Sequence, residues 1–238
     1  MGPEYMIDLG KKLKLSGSIC VFEIPKSAQS NHFSDVDVIN SWKDDLFELC
    51  KEFSTPILLG HSLGGMLCLA SPRLAEAAKA MVLVDTSPDI SYKKSYDDEF
   101  KRIGTVEMDQ LSTRFEQNPT EHNLMLLFTS WAPFFFMKPN IESNLMLLKL
   151  HSYNILSFAV GMRTFLSTYS VLWKKIEIPT LIVSGEFDRI TPVELFEKYS
   201  IFNEIKRISV TKAGHFPWIE NLHMFEKTLL NFESTIWV

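Results

Sequence analysis

TPILLGHSLGGMLCLA, residues 55–70, starts as a short continuous apolar run and turns into a helical stretch at Ser62. The run before the serine has the length of a buried strand, and the residues after it have the composition of a helix. At the junction, Gly60-His61-Ser62-Leu63-Gly64 is a G-x-S-x-G sequence. A serine hydroxyl is a weak nucleophile, so it must protrude where both a base and an electrophile can reach it. A strand-to-helix turn presents it that way, and glycines permit the tight backbone that such a turn demands.

Further apolar runs of strand length are MVLVD (81–85), TLIVSG (180–185) and IKRISV (205–210). Ser18–Ile24 (SICVFEI), between Gly17 and Pro25, reads as another strand. Helical periodicity falls between them. Residues 3–15 carry Tyr5, Met6, Leu9 and Leu13 on one stripe after an early Pro3. Ile39, Trp42, Leu46, Leu49 and Phe53 recur at three- and four-residue steps. Residues 192–200 read as a helix, and a last one begins near Leu222 with Phe225, Leu229 and Phe232 inward. Solid apolar strands alternating with amphipathic helices predict an α/β fold, a mostly parallel sheet with helices on both faces. Between Ser87 and Lys175 the rhythm changes to helical patterns broken at Pro119, Pro133 and Pro139. The expected organisation is core over 1–87, a helical cap over 88–175, and core again over 176–238.

A base and an orienting acid are found at the later strand ends. His215, in AGHFPWIEN, lies in a loop after the last strand, where it can reach across to the serine. Of the other histidines, His61 adjoins the serine but points elsewhere, and His32, His122, His151 and His223 read as surface or cap residues. Asp188, in SGEFDRITP, stands just past a strand end and can hold the histidine's tautomer. Glu186 and Asp85 are its rivals for that role.

Composition narrows the function. The 238-residue chain has a net charge of -5 and no basic run, which argues against nucleic acid as a partner. No stretch reaches the roughly 18 apolar residues of a membrane span; Leu126 to Met137 is interrupted by Thr129, Ser130 and Pro133. Cys20, Cys50 and Cys68 lack metal-type spacing and fall in apolar stretches, so buried free thiols and a cytoplasmic location are expected.

GHSLGG, GEFDRITP and AGHFPWIE together resemble the nucleophile, acid and histidine segments of the α/β-hydrolase superfamily, in its esterase and peptidase branches. The order Ser62, Asp188, His215 is the order of that family. VFEIPKSAQSN is similar to its D-x-P-G-x-G-x-S segment, with both glycines replaced. The helical insertion corresponds to the family's cap, placed after the MVLVD strand. WAPFFF and GHFPWIEN are similar to the proline iminopeptidase-like subgroup, whereas that subgroup more often carries G-G-S-W-G at the elbow.

The resemblance also implies a gap. Met1-Gly2-Pro3 looks like the tail of an H-G-x-G-P turn that comes after the family's third strand, so the N-terminal strands are absent here. That strand would lie between residues 19–24 and 55–60. Without it, buried backbone groups lose partners at about 1–3 kcal/mol each. Either the natural protein starts further upstream, the preferred expectation, or those two strands pair directly. The resemblance implies a serine hydrolase cleaving an ester, thioester or amide bond of a small molecule, with no metal or organic cofactor. Leu63, and Met1 or Gly2, would serve the oxyanion; an oxyanion hole short of one donor loses about 10²–10³ in rate. Trp131, Phe134 and Phe135 would meet an apolar substrate. A peptidase would need cap carboxylates such as Glu107, Glu116 or Glu121 to hold a substrate ammonium, and a non-catalytic protein on this scaffold is the third reading.

Overall fold

The computed structural model describes residues 1–26, 34–165, 169, 177–199 and 205–237. Among the described residues four strands form one sheet: β1 (Ile57–His61), β2 (Ala80–Val84), β3 (Thr180–Gly185) and β4 (Ile205–Val210). They lie in the order β1-β2-β3-β4, every pair parallel, with Leu59, Val82, Leu181 and Lys206 in one row across the sheet. The strands read from solid apolar runs are thus all found, and β2 and β3 are buried at every position.

Alternation along the strands builds a core on each face. Met81, Leu83 and Ile182 pack with Ile39, Trp42 and Leu46 of α2 (Asp35–Lys51) and Leu67 and Leu69 of α3 (Leu63–Leu69). Val82, Val84, Leu181 and Val183 face the other way, onto Leu9 of α1 and Phe225, Leu229 and Phe232 of α12. Helix α1 spans Glu4–Lys12 and α12 spans Leu222–Ile236. Ser34 starts α2 with a capping box, its hydroxyl accepting from the Asp37 N–H while the Asp37 carboxylate accepts from the Ser34 N–H. Between β1 and β2 the chain forms α3 and the short α4 (Leu74–Ala77). The predicted helix over 192–200 winds as a 3₁₀ helix, Val193–Tyr199, a form common in short connectors. Ser200 lies outside the described residues.

Among the described residues between β2 and β3 there are six α-helices, α5 (Tyr92–Ile103), α6 (Val106–Gln117), α7 (Glu121–Ser130), α8 (Ala132–Phe135), α9 (Ile141–Leu150) and α10 (Ile155–Phe165), with a 3₁₀ turn at Lys138–Asn140. This insertion has a small cluster of its own around Phe115, Leu124, Leu127 and Tyr153. It also shares both sheet cores, Phe135, Phe136 and Leu148 joining one and Val160 and Phe165 the other. Among the described residues no single helix is long and apolar enough to cross a membrane.

Ser18–Ile24 departs from expectation. It forms no strand, Ile19 and Cys20 are exposed, and no backbone hydrogen bond joins it to β1. Direct pairing of the two segments is therefore not found. A mainly apolar cavity separates them, lined on one side by Ile19 to Ile24 and on the other by Ile57 to His61. A strand depends on a neighbour for its hydrogen bonds, and this segment has none, which also leaves Cys20 outside the core while Cys50 and Cys68 are buried. On β1, Pro56 O and Ser62 N bond toward β2 and its flanks. By alternation Ile57, Leu59 and His61 turn their N–H and C=O groups to the open side.

Candidate active site

Ser62 sits between β1 and α3 at φ 51° and ψ -118°, a left-handed backbone that is strained for a residue with a Cβ. The neighbours that hold it there come from β2 and the residues just beyond. The Ser62 N–H donates to Val84 O (2.9 Å), and the Thr86 hydroxyl donates to Ser62 O (2.7 Å). The turn also needs close backbone approach, though not at both motif glycines. A Cβ on Gly60 would lie 2.8 Å from Gly65 Cα, and one on Gly65 2.7 Å from Thr86. A Cβ on Gly64 would meet nothing within 4 Å. The steric requirement thus falls on Gly60 and Gly65 rather than on the last glycine of G-x-S-x-G.

His215 and Asp188 are brought to this serine. His215 Nε2 lies 3.1 Å from Ser62 Oγ, and Nδ1 lies 3.0 Å from Asp188 Oδ2. The Asp188 carboxylate is well supplied with donors. Its Oδ1 accepts from the N–H groups of Ile190 (2.8 Å) and Thr191 (3.1 Å), and Oδ2 from the Thr191 hydroxyl (2.7 Å). Burial pushes its pKa up, but the His215 charge and the hydrogen bonds from His215, Asp85 and Thr191 outweigh it and hold Asp188 well below the usual carboxylate range. Of the two rivals, Glu186 accepts from the Lys212 N–H, away from His215. Asp85 lies beside Asp188 instead of replacing it.

The histidine is fixed from three sides. Its N–H donates to Phe135 O (2.8 Å), and the Phe135 ring stacks on the imidazole at 5.8 Å. Its carbonyl accepts from Nε2 of His61 (2.8 Å), whose Nδ1 faces the Tyr5 hydroxyl at 3.3 Å. Both bonds are satisfied when His61 is neutral with its proton on Nε2. Burial, and then the charge of His215, hold His61 well below the ordinary histidine range, which keeps it neutral, while the His215 carbonyl selects the tautomer. His61 is thus structural, as its sequence position implies. His122 and His223 are exposed, His151 caps the end of α9 through Leu147 O, and His32 lies outside the described residues.

Glu220 is a member of this site that the sequence did not single out. Its carboxylate accepts from the N–H groups of Gly214 (2.6 Å) and Met137 (2.9 Å) and from Asn140 Nδ2 (2.8 Å). One side chain thereby ties the loop carrying His215 to the insertion. The available signal was an acidic residue inside the apolar stretch FPWIE just after the histidine.

Ser62 and His215 face a mainly apolar cavity of about 850 Å³. Ser62, His215, Leu63, Trp131, Phe135, Met1 and Gly2 line it, with Tyr96, Phe128 and Phe158 beside them. Two expected members serve otherwise. Phe134 is buried inside the insertion, stacked on Phe100 at 6.1 Å and tilted on Tyr96 at 5.5 Å, because it faces the helix α5 side and not the cavity. The Gly2 N–H is committed to Ser152 O at 2.5 Å, so it is no free oxyanion donor. Leu63 opens α3, and its N–H has no partner within the helix. Glu107, Glu116 and Glu121 are exposed and none of them lines the cavity.

A model of the alpha/beta hydrolase family matches residues 22–226. Among curated proteins, the pimeloyl-[acyl-carrier protein] methyl ester esterase of Wigglesworthia glossinidia brevipalpis is 29% identical over 193 residues, 77% of this chain and 71% of that protein. Among solved structures, the esterase EaEST from Exiguobacterium antarcticum is similar at a TM-score of 0.67 and 16% identity, covering 97% of this chain and 87% of that one. A thermophilic esterase from Thermogutta terrifontis gives a TM-score of 0.64 at 17% identity, over 91% of this chain and 79% of that one. At these identities the structural likeness speaks for the fold.

Proposed function

Because the chain belongs to the alpha/beta hydrolase family, we propose that it is a serine esterase that cleaves small carboxylic esters through an acyl-enzyme on Ser62. The observation that carries this reading is the unbroken relay from Asp188 through His215 to Ser62, at 3.0 and 3.1 Å, at the wall of an apolar cavity. Ser62 Oγ attacks the ester carbonyl while His215 Nε2 takes its proton. The tetrahedral intermediate collapses, the C–O bond to the alcohol breaks, and His215 returns the proton to the departing alcohol. Water then attacks the acyl-serine with His215 again as base, releasing the acid and restoring the serine. Asp188 stays ionised throughout and balances the imidazolium. The Leu63 N–H is the oxyanion donor this reading assigns.

The insertion acts as a cap in this reading, with Trp131 and Phe135 facing an apolar acyl chain. A methyl ester of an acyl chain, the bond named for the curated relative, is the first substrate class to try. An ester is favoured over a peptide because the glutamates that would hold a substrate ammonium lie away from the cavity. Of the acids that do line it, Asp97 is paired with Lys93 at 2.5 Å, Glu23 with Lys26 at 3.5 Å, and Glu233 accepts from the Ser16 N–H.

The test is labelling with a fluorophosphonate probe beside a Ser62→Ala control, followed by turnover of p-nitrophenyl butyrate and of a prolyl anilide. Labelling that vanishes in the control, with ester turnover above anilide turnover, is expected. A folded protein that neither labels nor hydrolyses the ester overturns the proposal, and preferential anilide cleavage would move the activity to an aminopeptidase.

A further inference from the structure

Asp85 is a buried carboxylate beside Asp188 to which the proposed mechanism gives no task. It comes directly after β2 at φ 42°, a left-handed conformation that aspartate tolerates better than most residues, and it is 1% exposed. Its Oδ1 accepts from the Ser184 hydroxyl (3.0 Å) and the Gly185 N–H (2.8 Å). Its Oδ2 is shut off from solvent, and no N–H or hydroxyl among the described residues is directed at it. Ligand atoms of Asp85, Asp188 and His215 all lie within 4.8 Å of one another.

Two carboxylates this close, both buried, do not both ionise. The donor count decides which one keeps the proton. Asp188 accepts from two backbone N–H groups, a hydroxyl and His215, while Asp85 accepts from one hydroxyl and one N–H. We propose that Asp85 is a positioning residue that stays protonated and donates its Oδ2–H to the Asp188 carboxylate, extending the relay to Asp85, Asp188, His215 and Ser62. Burial first, then the charge of Asp188 and its hydrogen bond, lift Asp85 well above the usual carboxylate range. Asp188 and His215 are the titratable groups that face it, from the loops after β3 and β4.

The proton matters because the base must be neutral at rest. With both aspartates ionised, two negative charges would face the single positive charge that an imidazolium brings. With Asp85 neutral, a single negative charge balances the imidazolium only when it forms. The catalytic part of this inference rests on the serine-hydrolase reading; the protonation part does not.

Asp85→Asn and Asp85→Ala separate the possibilities. Asparagine copies the neutral acid, its amide N–H donating toward Asp188 and its oxygen accepting from Ser184 and Gly185. It is expected to keep kcat/KM for p-nitrophenyl butyrate within about threefold of wild type, while alanine loses about tenfold or more, mainly in kcat. A second readout needs no substrate. The unfolded chain ionises Asp85 near pH 3.9 while the native state keeps the proton, so wild-type stability declines as pH rises above that value. Asparagine has no such linkage, so the Tm of Asp85→Asn should gain on wild type steadily from about pH 5 to 7. A Tm difference that stays flat over that range means Asp85 is ionised in the native state and overturns the proposal, even if no esterase activity exists. Asparagine as inactive as alanine, or alanine as active as wild type, overturns the positioning role.

Discussion

His61 holds His215 through its backbone carbonyl, and His61→Phe isolates that support. The ring volume is kept, as are the contacts to Trp218 (4.8 Å) and Phe216 (5.0 Å), while both polar bonds of the imidazole vanish. The His215 carbonyl then has no donor in a buried site, which costs about 1–3 kcal/mol. Displacement of the His215 loop by about 1 Å lowers kcat/KM by about 10²-fold. Proton linkage adds a second signature. Burial, then the His215 charge, keep native His61 neutral well below the ordinary range, whereas the unfolded chain takes up that proton near pH 6.5. The contribution is therefore full above the unfolded pKa and is lost as pH falls toward the folded one, at about 1.4 kcal/mol per pH unit. Phenylalanine takes up no proton, so the deficit of the variant shrinks at the same rate as the medium becomes acidic. Asp85 contributes with the opposite sign over this range, but it is present in both proteins and cancels in the difference. Urea unfolding of both at about pH 7.5, 6.5 and 5.5 measures this. A deficit that is constant across the three values, or absent at the highest, would refute the reasoning.

The two glycines after the serine should respond in opposite ways. Gly65→Ala, with its Cβ 2.7 Å from Thr86, is expected to lose about 1–3 kcal/mol and most of its fluorophosphonate labelling rate. Gly64→Ala meets open space in a helix and should be neutral or stabilised by up to about 1 kcal/mol, as thermal unfolding will show. Glu220→Gln replaces an acceptor of three donors with a group whose amide opposes some of them, so a loss of about 2 kcal/mol or more and a drop in kcat are expected. Retention of wild-type kcat there would mean that the tie between the insertion and the histidine loop is dispensable.

Features that depend on short stretches of chain were legible. The apolar runs at 81–85, 180–185 and 205–210 are parallel strands, the first two lying in the buried centre of the sheet, and Ser62, Asp188 and His215 lie at strand ends because a strand-to-helix connection leaves them there. What escaped the sequence depends on contacts distant in the chain. Ser18–Ile24 has strand composition, yet composition does not supply the neighbour a strand bonds to. Phe134 and Phe135 are adjacent and chemically identical, and only the fold decides that one stacks on His215 and the other on Phe100. Asp85 looked like a competitor for the orienting role, because a carboxylate's state of protonation depends on what surrounds it. Glu220 was hidden for a similar reason, its three donors coming from the insertion and the histidine loop.

The open side of β1 bears on how the nucleophile is kept in place. Among the described residues the strand that delivers Ser62 has a ladder on one side only, and Ile57, Leu59 and His61 hold no backbone partner across the cavity. Resistance to local opening scales with the number of neighbours a segment must break from. β2 and β3, flanked on both sides, set the upper level of protection against amide exchange, and β1 sits below them. The precision of Ser62 is then borrowed: Val84 and Thr86, outside the serine's own strand, anchor its N–H and carbonyl. An opening of β1 that left the rest of the sheet intact would displace Ser62 from His215 first, so the reactivity of Ser62 would report on its own strand rather than on the stability of the whole domain.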